Sequence, residues 1–132
     1  MAQGVARGLS DAGLKASLAA SGDGASSGST FTLATEIESI SVNKHFAAEQ
    51  TIHGQYFTMT AQVKLRFTLS SHDHPGLYTG VTTGAETEPP APVGNEAFLP
   101  LETEPAESLS VAMSRAIAAL ILEPQFRKAL TN

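Results

Sequence analysis

The chain has 132 residues, which is enough for one domain (1–132) with a single hydrophobic core. Eight basic and thirteen acidic residues give a formal net charge of -5, with the acidic side chains spread along the chain. Nucleic-acid binding needs a basic surface, so this composition argues against it. The absence of cysteine excludes disulfides, thiolate nucleophiles and thiolate metal ligands.

The amino-terminal third of the chain alternates between apolar and Ser/Gly-rich segments. Apolar residues at helical spacing predict a first helix over residues 2–12, and Gly13 suits the left-handed position just beyond a helix end. Alternating residues over 14–19 predict a short strand. Residues 21–29 contain only Ser, Gly, Ala and Asp, so we predict a flexible loop there.

The next apolar residues change phase within a single segment. The odd-numbered set is Phe31, Leu33 and Ile37, and the even-numbered set is Ile40 and Val42. A regular strand points alternate side chains to opposite faces, so it cannot bury both sets. We therefore predict a strand over 31–42 with a bulge or twist near Glu38 and Ser39, followed by a connection over 43–54.

The middle of the chain has the strongest pattern. Apolar and polar residues alternate without interruption from Phe57 to Leu69, which predicts a strand with one buried face and one wetted face. A Pro- and Gly-containing turn over 72–76 then leads into a third strand over 77–85. Residues 86–104 are rich in Pro and Glu, and we predict a connection without regular structure there.

The pattern of the carboxyl-terminal part predicts helices. Apolar residues recur every three or four positions from Pro105 to Leu122, which predicts a helix whose stripe belongs to the core, with Thr103 or Glu104 as its cap. Pro124 predicts a kink or a fresh short helix. The fold class that follows is α+β: an antiparallel three- to four-stranded meander sheet with an N-terminal and a C-terminal helix packed on one face.

Two motifs suggest chemistry at first sight. Gly24, Ser26 and Gly28 match the pattern of a hydrolase nucleophile elbow, but the match lies in a loop that enters a strand rather than between a strand and a helix. His72 and His74 could supply two ligands to a metal or the base of a hydrolase, yet a solvated turn is the favoured interpretation. We predict no catalytic residue, no metal and no cofactor, and therefore a protein that is not an enzyme.

Two binding surfaces are open to prediction. Gln62, Lys64 and Arg66 line the wetted face of the middle strand and could accept a partner, although a simply solvated face is the competing interpretation. A slot between sheet and helices could instead hold a small amphiphile or lipid. Its lining would be Phe57, Met59, Phe67, Met113 and Ile117. An exposed sheet edge is also compatible with self-pairing into a homo-oligomer.

The order of these features resembles the YajG-like family of bacterial envelope lipoproteins. The resemblance is carried by Ala12-Gly13-Leu14 after the first helix, the strand segments 31–42 and 57–69, Tyr78-Thr79-Gly80, and Glu123-Pro124-Gln125-Phe126 near the end. It implies a leader and a lipid-modified cysteine, and hence a periplasmic domain tethered to a membrane. This sequence departs from the family by lacking both and by its proline-rich insertion over 88–102.

The expectation that combines these points is a non-enzymatic periplasmic lipoprotein domain, an envelope accessory or assembly protein that acts by protein–protein binding. The family has no established catalytic residues to transfer. Residues 1–5 lack a secretory leader and no apolar run reaches the roughly twenty residues of a membrane span. The membrane would thus be reached only through an anchor that this sequence does not contain, and a cytoplasmic location is the alternative.

Overall fold

The computed structural model describes residues 2–14, 31–46, 56–88, 91–92 and 104–131. These residues form seven elements in chain order: α1 (Ala2–Asp11), β1 (Phe31–Phe46), β2 (Tyr56–Ser71), β3 (Tyr78–Thr87), β4 (Ala91–Pro92), α2 (Glu104–Leu122) and α3 (Pro124–Thr131). The predicted flexible loop 21–29 and all but the first residue of the predicted strand 14–19 lie outside the described residues.

The strands form one open antiparallel sheet. β2 is central and pairs with β1 on one side and with β3 on the other, while the two residues of β4 pair with Tyr56 and Phe57 at the start of β2. Together with the three helices of the described residues, this arrangement confirms the predicted α+β class and the meander order.

The first helix ends as its sequence predicts. Gly13 adopts a φ of 85°, a conformation that costs glycine little because it has no Cβ. The Leu14 N–H donates to the Leu9 carbonyl at 3.0 Å, and the Gly13 N–H donates to the Ser10 carbonyl at 2.9 Å. This pair of bonds is a Schellman motif, which satisfies carbonyls that the helix end would otherwise leave without partners.

The predicted break in β1 is present. The register between β1 and β2 shifts between Ile37 and Ser39, so Glu38 is the extra residue of a β-bulge. Ile37 faces Leu65 before the bulge, and Ile40 faces Val63 after it. Because Leu65 and Val63 lie on one face of β2, the bulge places both apolar sets of β1 on the same face of the sheet.

The predicted end of β1 is wrong. We expected the strand to stop at Val42, but it continues through Phe46, with Asn43 opposite Thr60 and His45 opposite Thr58. The polar residues in this stretch do not end the strand, because their partners on β2 continue without a break and complete the backbone pairing. Residues 47–54 of the predicted connection lie outside the described residues.

The core lies between β2 and the helices. Val63, Leu65 and Phe67 have no exposed surface, as their alternation predicts. The stripe of α2 packs against them, and α3 adds Phe126, whose ring meets that of Tyr78 edge to face at a centroid distance of 5.4 Å. α2 ends at Leu122 and α3 begins at Pro124, with a bend of 58° between the two helices. The bend confirms the fresh helix predicted at Pro124.

The side of β3 that carries Gly84 faces the helices. A Cβ on Gly84 would lie 1.7 Å from the Ala112 carbonyl oxygen and 2.6 Å from the Ala116 nitrogen. α2 can therefore cross the sheet at this point only because residue 84 lacks a side chain. The Thr82 hydroxyl, two residues earlier on the same face, donates to the Ala116 carbonyl at 2.6 Å. Val81, in the other phase, lies on the side without helices.

The connection over 86–104 contains more regular structure than we predicted. β3 continues to Thr87, and Ala91 and Pro92 form β4. Pro92 is tolerated because β4 contains only two residues. The N–H that proline lacks therefore interrupts no extended ladder of hydrogen bonds. At the end of this connection α2 begins at Glu104, so Pro105 occupies its first turn as predicted.

One part of the sheet remains uncovered on the helix side. Ile37, Ile40 and Val42 of β1, which we call the β1 strip, are 39%, 50% and 38% exposed. The bulge was expected to bury both apolar sets, and this expectation is wrong for these three residues. A helix is about 10 Å wide and strands are about 4.8 Å apart, so α2, which packs mainly on β3 and β2, leaves these three side chains of β1 partly exposed.

No single helix within the described residues is both long and apolar enough to span a membrane. Residues Ala106–Leu122 and Pro124–Thr131 meet the length and composition limits only as a bent pair.

Candidate functional site

The face of the sheet opposite the core carries side chains from all three long strands. We call it the outer face, and it consists of side chains that stand in rows across β1, β2 and β3. One row runs through Glu36, Arg66 and Val81, the next through Ser39, Lys64 and Thr83, and the third through Ser41, Gln62 and Ala85. The described parts of the three helices pack on the other side of the sheet.

Three charged residues meet at the centre of the outer face. The bulge turns Glu38 toward β2, where its carboxylate lies between Lys64 and Arg66. Lys64 Nζ is 3.0 Å from Glu38 Oε2, and Arg66 Nε donates to Oε1 at 2.7 Å, with Arg66 Nη2 bound to the same oxygen. One carboxylate thus holds two cations on neighbouring rows in fixed positions.

The proton equilibria of the cluster follow from these bonds. Hydrogen bonds from Arg66 and then from Lys64 lower the pKa of Glu38 below its ordinary value of 4.5. The bond to Glu38 raises the pKa of Arg66, with a smaller contribution from the charge of Glu36. The Glu38 side chain is 17% exposed, whereas Lys64 and Arg66 are 48% and 49% exposed. The two cations therefore remain available to a partner while their positions are set by Glu38.

Hydroxyl groups surround the charged cluster. Thr60 Oγ1 and Thr87 Oγ1 are 3.0 Å apart across β2 and β3, and Thr68 faces Thr79 at the other end of the same strands. Val81 is an exposed apolar residue beside Arg66. Threonines offer methyl and hydroxyl groups on a stiff β-branched stem, so this surface is preorganised and costs little side-chain entropy on binding.

The three residues that the sequence predicts as a binding surface are placed together. Gln62, Lys64 and Arg66 are all exposed and follow one another along the outer face of β2. Sequence reasoning missed Glu38 as the residue that pairs with two of them. The available signal was an acidic residue at the predicted bulge opposite a Lys-x-Arg pattern in the next strand.

The His72–His74 turn is separate from this surface. Both histidines are exposed between β2 and β3, the Ser71 N–H donates to the His74 carbonyl at 3.0 Å, and the His74 N–H donates to Ser71 Oγ at 3.1 Å. Within the part of the chain that the structure describes, no three His, Asp or Glu side chains come close enough to hold a metal ion. The geometry here is that of a hydrogen-bonded turn.

The acidic residues at the start of the Pro/Glu-rich connection have partners within the domain. Glu86 forms an ion pair with Arg115 of α2, and the Glu88 carboxylate accepts a hydrogen bond from the buried Ser108 hydroxyl. Arg115 also donates to the Ala85 carbonyl. These contacts join the end of β3 to α2. The Gly24–Gly28 motif and residues 93–103 lie outside the described residues.

Four of the five residues of the predicted amphiphile slot pack in or against the core. Met59, Phe67 and Ile117 are buried, and Met113 packs half-buried against the core. The side chain of Phe57 lies outside the described part of the structure. The slot itself stays a prediction.

Comparison with known proteins found no match to a family model, to a curated protein or to a solved structure. The resemblance to the YajG-like envelope lipoproteins therefore stays a prediction from the sequence.

Proposed function

We propose that this domain is a non-enzymatic protein-binding module and that the outer face is its contact surface. The observation that carries the proposal is the combination of an uncovered three-stranded face with a central, internally fixed Glu38–Lys64–Arg66 cluster. A face that served only for solubility would require charges but not their immobilisation.

The chemistry of the face defines the kind of partner. The charges of Lys64 and Arg66 are balanced by those of Glu38 and of Glu36, which stands beside Arg66 in the same row. The N–H groups of the two half-exposed cations are the donors of the centre, so it favours a hydrogen-bond-accepting group. The surrounding threonines and the exposed Val81 favour a flat apolar and hydroxyl-rich surface around that group. A folded protein or an extended segment with a hydrogen-bond-accepting side chain meets both conditions.

The location proposed with this function is the bacterial periplasm, with a lipid anchor carried by a segment outside this cysteine-free sequence. Support for the location comes from the family resemblance alone. Expression of the complete gene with a labelled fatty acid tests it: label on the protein in the membrane fraction supports the proposal, and unlabelled protein in the cytoplasmic fraction contradicts it.

Site-specific photocrosslinking tests the binding surface. A photoreactive amino acid replaces Gln62 on the outer face in one variant and Gln125, an exposed residue of α3, in a matched control. Envelope extract from the source bacterium is then irradiated with each variant and the adducts are identified. We expect a discrete adduct from position 62 that is absent at position 125. Equal adducts at both positions, or none above background at position 62, would contradict the proposed surface.

A further inference from the structure

A second surface of the molecule, separate from the outer face, lies along the edge of β1. Within the described residues β1 pairs only with β2, and no described strand lies along the opposite edge of this 16-residue strand. On the helix side the same strand carries the β1 strip. Open backbone groups and exposed apolar side chains thus coincide in the half of β1 that follows the bulge.

Such an edge favours pairing with another strand, because pairing satisfies the backbone groups and covers the side chains in one step. The opposite edge of the sheet is different. On β3 the Ala85 carbonyl already accepts a hydrogen bond from Arg115, which is also paired with Glu86. A side chain from α2 therefore occupies the β3 edge near this point.

We propose that two copies of this chain associate through their β1 edges, antiparallel about a twofold axis at Ser41, so that their two sheets become one continuous sheet. Residues 39–43, in the regular half of the strand, provide the contact. The helices of both copies then lie on one side of the joined sheet and the two outer faces become one continuous surface.

The side chains of β1 select this register. Antiparallel pairing about Ser41 places Ile40 of each copy opposite Val42 of the other, so four exposed apolar side chains cover one another on the helix side. Pairing about Val42 would set Ile40 against Lys44 instead. Pairing about Ile40 would set Val42 against the bulge at Glu38, where the regular ladder is interrupted.

The charges along β1 are complementary under the same operation. On the outer face, Glu36 lies before the bulge and His45 lies near the other end of the strand. A twofold axis at Ser41 brings the acidic end of one copy next to the basic end of the other, twice in each dimer. Parallel pairing in register would instead set like charges side by side. The strand is therefore self-complementary in the apolar residues of its helix side and, on the outer face, in the positions of Glu36 and His45.

Cysteine crosslinking tests the register, since the natural sequence contains no cysteine. The proposed axis places the two copies of residue 41 directly opposite, at a Cα separation of about 5 Å, which a disulfide can bridge. The two copies of residue 39 would be offset by about 13 Å along the strands, which is too far. We expect Ser41→Cys to form a disulfide-linked dimer on mild oxidation and Ser39→Cys to remain monomeric on a denaturing gel.

Sedimentation of the full chain tests the association itself. Ile40→Lys would bury a charge at both symmetry-related positions, so we expect self-association about 100-fold weaker than in the unsubstituted chain. Val111→Lys is the matched control, because Val111 is similarly exposed on α2, and it should leave the dimer unchanged. Circular dichroism confirms that both variants fold.

Three results would overturn the proposal: a monomer at all concentrations up to the sub-millimolar range, equal crosslinking of Ser39→Cys and Ser41→Cys, or no effect of Ile40→Lys on a dimer that does form. A monomer is also the outcome if another part of the chain or a different protein covers the β1 strip. Crosslinking from position 62 in the Ile40→Lys variant reports on the outer face alone, so failure of the dimer and failure of the proposed function are distinguishable.

Discussion

Glu38 is the residue on which the outer face depends. The bulge turns its side chain away from the core, and the carboxylate then fixes Lys64 and Arg66. The bulge itself was predictable, because the phase change between Ile37 and Ile40 allows no regular strand. The contacts were not, because sequence spacing within β1 does not give the register against β2, and the register decides which charges meet.

The first prediction concerns the pH dependence that this cluster creates. The folded protein lowers the pKa of Glu38 below 4.5, so the charged form contributes stability above that value and the contribution is lost as the pH falls through the lowered pKa. We expect Glu38→Gln to lower the midpoint of urea unfolding at neutral pH, and the difference from the unsubstituted protein to shrink in acid and in high salt.

Glu36→Gln is the control for this measurement, because Glu36 lies on the same face but its charge has only a minor effect on the pKa of Arg66. It should change the unfolding midpoint less than Glu38→Gln does. The midpoints of urea unfolding of Glu38→Gln and of the unsubstituted protein are also compared in acid. If their difference is as large there as at neutral pH, the carboxylate charge is not its cause.

The packing of α2 on β3 depends on a glycine. Alternation in the sequence indicates a strand over this region, and the structure confirms it, but the strand has few large residues in either phase. Which phase faced the helix therefore could not be read from hydrophobicity. Gly84 lies against the Ala112 carbonyl, so the phase of β3 that faces α2 is the one in which glycine leaves room for the helix.

The second prediction follows from that contact. Gly84→Ala would place a methyl group against the backbone of α2, which cannot move without displacing the whole helix, and should destabilise the domain by at least about 2 kcal/mol. Gly4→Ala is the matched control, since a Cβ there meets nothing within 4 Å inside α1, and it should stabilise the domain by about 0.5–1 kcal/mol. Urea unfolding measures both, and equal effects would contradict the close approach.

At the scale of the whole molecule, the three helices and the sheet share one core. α3 is short, but Phe126 is only 1% exposed and packs against Tyr78 at the start of β3. The apolar spacing after Pro124 predicted a helical face in this segment. Its position against β3 could not be predicted, because it depends on the bend between α2 and α3.

The third prediction tests whether α3 is part of that core. Phe126→Ala removes a fully buried ring and should destabilise the domain by about 3–5 kcal/mol in a single cooperative transition. Leu122→Ala provides the contrast, because Leu122 is 72% exposed at the end of α2 and should change stability by less than about 0.5 kcal/mol. A separate early transition for Phe126→Ala would instead identify α3 as an independently unfolding unit.

The sequence by itself determined the types of α1, of the three long strands and of the carboxyl-terminal helices, the order of those strands, the bulge in β1 and the buried face of β2. These features follow from local periodicity and from backbone limits on Gly and Pro. Only the tertiary structure decided the pairing of Glu38 with Lys64 and Arg66, the glycine contact with α2 and the exposure of the β1 strip. Those features depend on strand register and on how much of the sheet one helix can cover, and both are set by contacts between residues far apart in the chain.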